Sequence, residues 1–156
     1  MAKVVFHAMQ MDFAELKRIA SDYSETEFGS LVFQAEIEDP KKWNDRYILI
    51  GYIVASNGTT TANLDSKFLK QNNSKEHDFH GKLNLGNYPL SRKKVIAIIK
   101  NSPATTDYLL FIPEQFDMDP RYVCYKIIPR LKDGSAITAF DDDGNLNPSP
   151  PADPGV

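Results

Sequence analysis

Two histidines and an aspartate fall within four residues at His77-Asp78-Phe79-His80. Imidazole and carboxylate are common protein ligands of zinc and other divalent ions. His77, Asp78 and His80 are therefore the candidate metal site, with His7 as a distant third imidazole. An ion held there with one position open to water would lower the pKa of that water and supply a nucleophile, which is the chemistry of a metal-assisted hydrolase. The pattern is sparser than a zinc motif, because neither a cysteine pair nor a helical His-Glu-x-x-His accompanies it. A solvated loop beside the polar stretch 72–76 explains the same residues. His7 stands in the apolar run Val4-Val5-Phe6, where a hydrogen-bonded strand position suits it.

Other chemistries have less support. Cys124 sits between Val123 and Tyr125 in an apolar stretch, where a cysteine acts as a small hydrophobe rather than a nucleophile. Asp141-Asp142-Asp143-Gly144-Asn145 suggests a calcium loop. With Gly144 at the sixth position, however, Ala139 takes the first and Pro150 the twelfth, so the carboxylates that define the loop are missing. Serine-nucleophile elbows, dinucleotide fingerprints and phosphate loops have no match. Glu36, Glu38 and Asp39 cluster beside Pro40, as at a solvated strand edge. Arg92-Lys93-Lys94 near Tyr88, with Tyr47, Tyr52, Tyr122 and Tyr125 on expected strands, resembles the basic groove and stacking rings of a single-strand nucleic-acid binder. Three adjacent cations in a chain of net charge −3 are little for such a role.

The chain has 156 residues, of which 42% are hydrophobic, enough for one domain with a real core. One cysteine excludes an intramolecular disulfide framework. Apolar runs stay well short of the ~18 residues of a membrane span, and the opening stretch is too short for a secretion signal. The expected location is cytoplasmic, with no membrane and no nucleic-acid partner. Charge is unevenly spread. Residues 1–40 hold eight acids and three bases, 41–140 hold nine and fifteen, and 141–156 hold four acids and no base. A basic middle flanked by acidic ends either steers an anionic partner or lets the ends pack on the middle, and the second is the simpler expectation.

These residues must be positioned by a few recognisable elements. Phe13, Leu16, Ala20 and Tyr23 recur at helical spacing within 11–23, with Asp12 and Glu15 set as a capping box and Met11 with Leu16 as its staple. Residues 31–37 alternate, and 46–55 are apolar on both faces, as a central strand should be. Asn57-Gly58 then predicts a type I′ hairpin returning through Thr59–Leu64. Gln71–Ser74 reads as an exposed loop. Residues 93–100 carry opposing signals. Ser91 can cap a helix, with Leu90 and Val95 as staple, but three cations in the first turn oppose the helix dipole and the β-branched run favours a strand. The expectation is a strand. Further strands are expected at 108–112, 121–128 and 136–140.

The expected fold is α+β: one N-terminal amphipathic helix on a mostly antiparallel sheet, curved or doubled like a sandwich. A split βαββαβ arrangement is the rival, and it requires 91–101 to be helix. The expected organisation is one domain over 1–140 and an acidic, proline-rich, mobile tail over 141–156. With no catalytic group of residues standing out, the expected function is non-enzymatic: a binding or assembly protein acting through protein contacts. Exposed strand edges would accept a partner's strand or a second copy of the chain.

Overall fold

A computed structural model describes residues 4–39, 46–79, 87–116, 119, 121–137 and 145–146, the side chains of 73–77 and 145–146 excepted. Its frame is strand β1 (Val4–Asp12), buried along most of its length. The following elements are α1 (Phe13–Asp22), β2 (Ser30–Ile37), β3 (Arg46–Val54), β4 (Thr60–Asn63), β5 (Leu69–Phe79), β6 (Asn87–Ser91), α2 (Arg92–Asn101), β7 (Tyr108–Gln115), β8 (Val123–Arg130) and β9 (Asn145–Leu146). The chain is α+β, as expected, but with two described helices. Among the described residues no helix is long and apolar enough to cross a membrane.

The strands form one largely antiparallel sheet in the order β6-β2-β3-β1-β7-β8-β9, with β4 on β3 and β5 on β1. β5 follows one edge of β1 from Val4 to Met11. The other edge serves two strands. Val5 and Phe6 pair in parallel with Arg46 and Tyr47 of β3, while Met9 to Asp12 pair antiparallel with β7. The sheet therefore forks at His7 and Ala8, where the pairing with β5 also shifts register. Beyond the fork the sheet curls, and Tyr88 of β6 packs edge-on against Tyr125 of β8, ring centroids 5.4 Å apart. Inside the curl Phe6 stacks on Tyr47 and meets Phe79 edge-on, and Phe33 meets Phe111. The helices add Phe13, Leu16, Ile19 and Val95 to the same core. A smaller cluster of Ala8, Tyr108 and Leu110 is also buried.

Three local expectations are corrected. Residues 93–100 are helix, not strand: the Ser91 side chain accepts from Lys94 N–H at 3.2 Å, and Leu90 and Val95 are both buried. Gln71–Ser74 is strand, not loop, because β1 supplies the ladder partners that weak strand propensity could not announce. The Asn57-Gly58 hairpin is not type I′. Gly58 N–H bonds to Ala55 C=O and Ala55 N–H to Thr59 C=O, with Gly58 at φ +90°. This is a three-residue loop ending in a left-handed glycine, and only Gly58 is needed to take that conformation.

The capping box at α1 is half present. Asp12 accepts from Ala14 N–H at 3.3 Å, but Glu15 pairs with Arg18 at 2.8 Å instead of reaching back. Nothing is left for it to satisfy, since Asp12 N–H already donates to Phe68 C=O. The two helices run antiparallel, the start of α2 meeting the end of α1. Leu146 and Asn145 of β9 lie opposite Tyr125 and Lys126, and the rest of the 141–156 segment lies outside the described residues.

Candidate functional site

β5 sets His77 opposite Phe6 and Asp78 opposite Val5. Asp78 is exposed, and His80 lies outside the described residues. His7, the third imidazole, is only 3% exposed. Its Nε2 stands 3.2 Å from Glu38 Oε2 and its Nδ1 2.9 Å from the Gln71 side-chain nitrogen. An amide nitrogen only donates, so Nδ1 accepts, and Nε2–H donates to the carboxylate. Both ring nitrogens are thereby occupied, and neither offers a lone pair to an ion or a proton site to a substrate. Asn72 donates to Gln10 at 2.8 Å beside this pair. These side chains line the fork in the sheet, where the irregular pairing with β5 brings polar groups into a buried place. Among the described residues no three His, Cys, Asp or Glu side chains gather as an ion's ligands.

The residues of the nucleic-acid combination are divided: Tyr47 and Tyr52 are half-buried and Lys93 and Lys94 exposed, whereas the others are engaged within the fold. Tyr88 and Tyr125 are 1% and 0% exposed and Tyr122 is buried, so these rings cannot stack on bases. Burial, reinforced by Cys124, pushes the phenols of Tyr88 and Tyr125 up from their ordinary value. Arg92 faces inward. Its guanidinium donates to the carbonyls of Ala20, Tyr23, Ser24 and Phe28 at 3.2–3.4 Å and lies over the Phe28 ring. It thereby closes the carbonyl end of α1, where a cation is favoured by both hydrogen bonding and the helix dipole. Glu38 is not merely a solvated edge residue, since it is the partner of His7.

The same arrangement turns the opposite side of α2 outward. Lys93, Ile96, Ala97 and Lys100 form one exposed stripe at positions i, i+3, i+4 and i+7. Ile96, at 45% exposure, is the one large hydrophobic side chain exposed among the described residues. Two open depressions adjoin it. One, of about 430 Å³, is lined by Glu25, Gly29, Ser56, Arg92, Lys93 and Ile96. The other, of about 320 Å³, is lined by Lys17, Ala20, Ser21, Ile96 and Ile99. Together they make a shallow trough that meets at Ile96, apolar between the helices at Ala20 and Ile99, more polar beyond α1, with lysines at its rim.

No known protein family, curated protein or solved structure matches the chain. The site is therefore judged on its own geometry, and the trough's lining brings together no three His, Cys, Asp or Glu side chains among the described residues. A cleft of about 240 Å³ at the fork is lined mostly by apolar residues such as Met9, Ile48, Leu49 and Leu69, with Ser66, Lys70 and Gln71 at its polar side. Sequence reasoning missed the trough because it placed 93–100 in a strand. Once those residues are helical, the spacing of Lys93, Ile96 and Lys100 is visible in the sequence itself.

Proposed function

We propose that this chain is a binding protein that acts through protein–protein contacts, with the outward face of α1 and α2 as its contact surface. The observation that carries this reading is Ile96, 45% exposed between two depressions, while no other large hydrophobic side chain among the described residues is exposed. An aliphatic side chain beside a concave floor gains by being covered, at about 25 cal/mol per Å² of apolar surface. The strand edges fit this role less well. β4 has four residues, β6 carries Pro89, which has no N–H to offer, and the ladder of β5 is broken by its register shift. Such features blunt an edge rather than advertise it.

The test is site-specific photocrosslinking. A benzophenone side chain placed at position 96 in the full chain is expected to capture a discrete protein species in extract of the source cell. The same group at exposed Lys132, in the turn after β8 and outside the lining of the trough, should capture none. Equal patterns at both positions, or none at either, would remove this face as the contact surface.

A further inference from the structure

Resting on that reading, we propose that the occupant of the trough is an acidic polypeptide segment, which seats aliphatic side chains against Ile96 and Ile99 and sets its carboxylates among Lys17, Lys93 and Lys100. Charge is the first reason. α2 carries four cations and no acid. Arg92 is engaged by the α1 carbonyls, but Lys93, Lys94 and Lys100 make no ion pair among the described residues, and Lys17 contacts only the Phe13 ring. The single acid lining the trough is Glu25. Lys93 and Lys94 also lie in the first turn of α2, where a positive charge works against the helix dipole. Unfavourable local choices held at one place, beside an uncovered isoleucine, mark a surface shaped for something other than folding.

Shape and symmetry select among anionic occupants. Ala20 and Ser21 keep the floor between the helices low, which suits an inserted side chain. A helix that lies on a bilayer instead presents a row of bulky apolar residues to be buried together, and here one isoleucine is exposed. A second copy docking through the same face about a two-fold axis would bring the lysine-rimmed stripe against its own image, and like charges would oppose it.

Random peptides of about twelve residues, displayed on phage, would be selected on the folded full chain, and the enriched ones synthesised and measured by fluorescence polarisation. Expected sequences carry several Asp or Glu with aliphatic residues at helical spacing. Their binding should weaken at least tenfold in Ile96→Glu and Lys93→Glu, and should weaken as salt rises. Both variants should stay folded by circular dichroism, Lys93→Glu melting no lower than the parent because an acid suits the first turn of α2. Failure to enrich any peptide, peptides without acids, or binding by either variant as tight as by the parent would overturn the proposal. So would self-association abolished by Ile96→Glu, or Ile96-dependent binding to vesicles of about 30% phosphatidylserine in phosphatidylcholine. A protein partner crosslinked at position 96 together with non-acidic peptides would remove the charge assignment alone; failure of the crosslinking as well would remove the binding reading beneath it.

Discussion

Replacing Arg92 separates a structural cation from a ligand-binding one. Its guanidinium reaches four carbonyls, but three of them share Nη1, and all four distances lie between 3.2 and 3.4 Å. Two effective bonds are a fairer count than four. A hydrogen bond to a charged group contributes about 1.5–3 kcal/mol, at the low end here because the group is half exposed. The dipole at the end of α1 adds about 0.3–1 kcal/mol, and the Phe28 ring about 0.5–1 kcal/mol. Allowing for non-additivity, Arg92→Ala should cost about 3 kcal/mol, and Arg92→Lys about half of that, since one ammonium cannot span the fork that a planar guanidinium fills. At roughly 2–4 °C per kcal/mol for a chain of this size, thermal melts followed by circular dichroism should fall by about 6–12 °C in the alanine variant. A melt within a degree or two of the parent would refute the idea that this residue joins the helices, and would return Arg92 to the exposed cations.

Tyr125 is fully buried, and its hydroxyl has no hydrogen-bond partner among the described residues. Tyr125→Phe should therefore raise stability to urea by about 1–2 kcal/mol, and a loss instead would reveal a partner for that oxygen. The turn at Leu131–Ser135 repeats the one at Ala55–Thr59, with Gly134 at φ +88° and Asp133 in the place of Asn57, accepting from Ser135 Oγ and N–H. Those bonds, the hydroxyl's first, hold the Asp133 carboxyl below its ordinary value. The ionised form thus stabilises the fold above about pH 4, and that contribution is lost as pH falls through the depressed pKa. Asp133→Asn keeps the acceptor but not the titration, so the acid side of the stability curve should flatten with little change at neutral pH; an unaltered acid limb would count against this. Calorimetric zinc titration should give the same stoichiometry for the parent and His7→Gln, because both His7 nitrogens are taken; a stoichiometry that falls with His7 would make it a ligand after all.

Much of the fold is legible where local and long-range forces agree. Asp12 ends a strand and starts a helix, and the apolar spacing from Phe13 to Ile19 says which face is buried. Residues 31–37 and 46–54 are strands, as their apolar patterns suggest. Two elements ran against their local signals, each because of a different force. β5 is polar through its middle, and only its ladder with β1 makes it a strand. α2 contains a cap, a staple and an adverse charge run, and no local rule weighs them. The weighing is tertiary: the charge of Arg92 is set against the carbonyl end of α1 instead of its own helix, so one of the three cations that seemed to forbid the helix now ties it in place. His7 was legible as a bonded strand residue, but its partners, 31 and 64 residues away, were not.

The two polar anomalies of this chain therefore differ in kind. At the fork, a histidine, a glutamate and a glutamine are brought together from three strand regions, and their hydrogen bonds answer one another. A buried polar network with its donors and acceptors matched serves the fold, because any incoming ligand would have to break bonds already made. On the outer face of the helices an imbalance stays open among the described residues: lysines without ion pairs, a partly exposed isoleucine, and cations at the wrong end of a helix dipole. The described part of the fold relieves none of these, and the acidic segment proposed above would answer all three at once. A histidine cluster attracts attention in the sequence because imidazole is versatile, whereas a Lys-x-x-Ile-x-x-x-Lys stripe is ordinary in composition. Function is better sought where the structure leaves an interaction unfinished than where the residue types are most reactive.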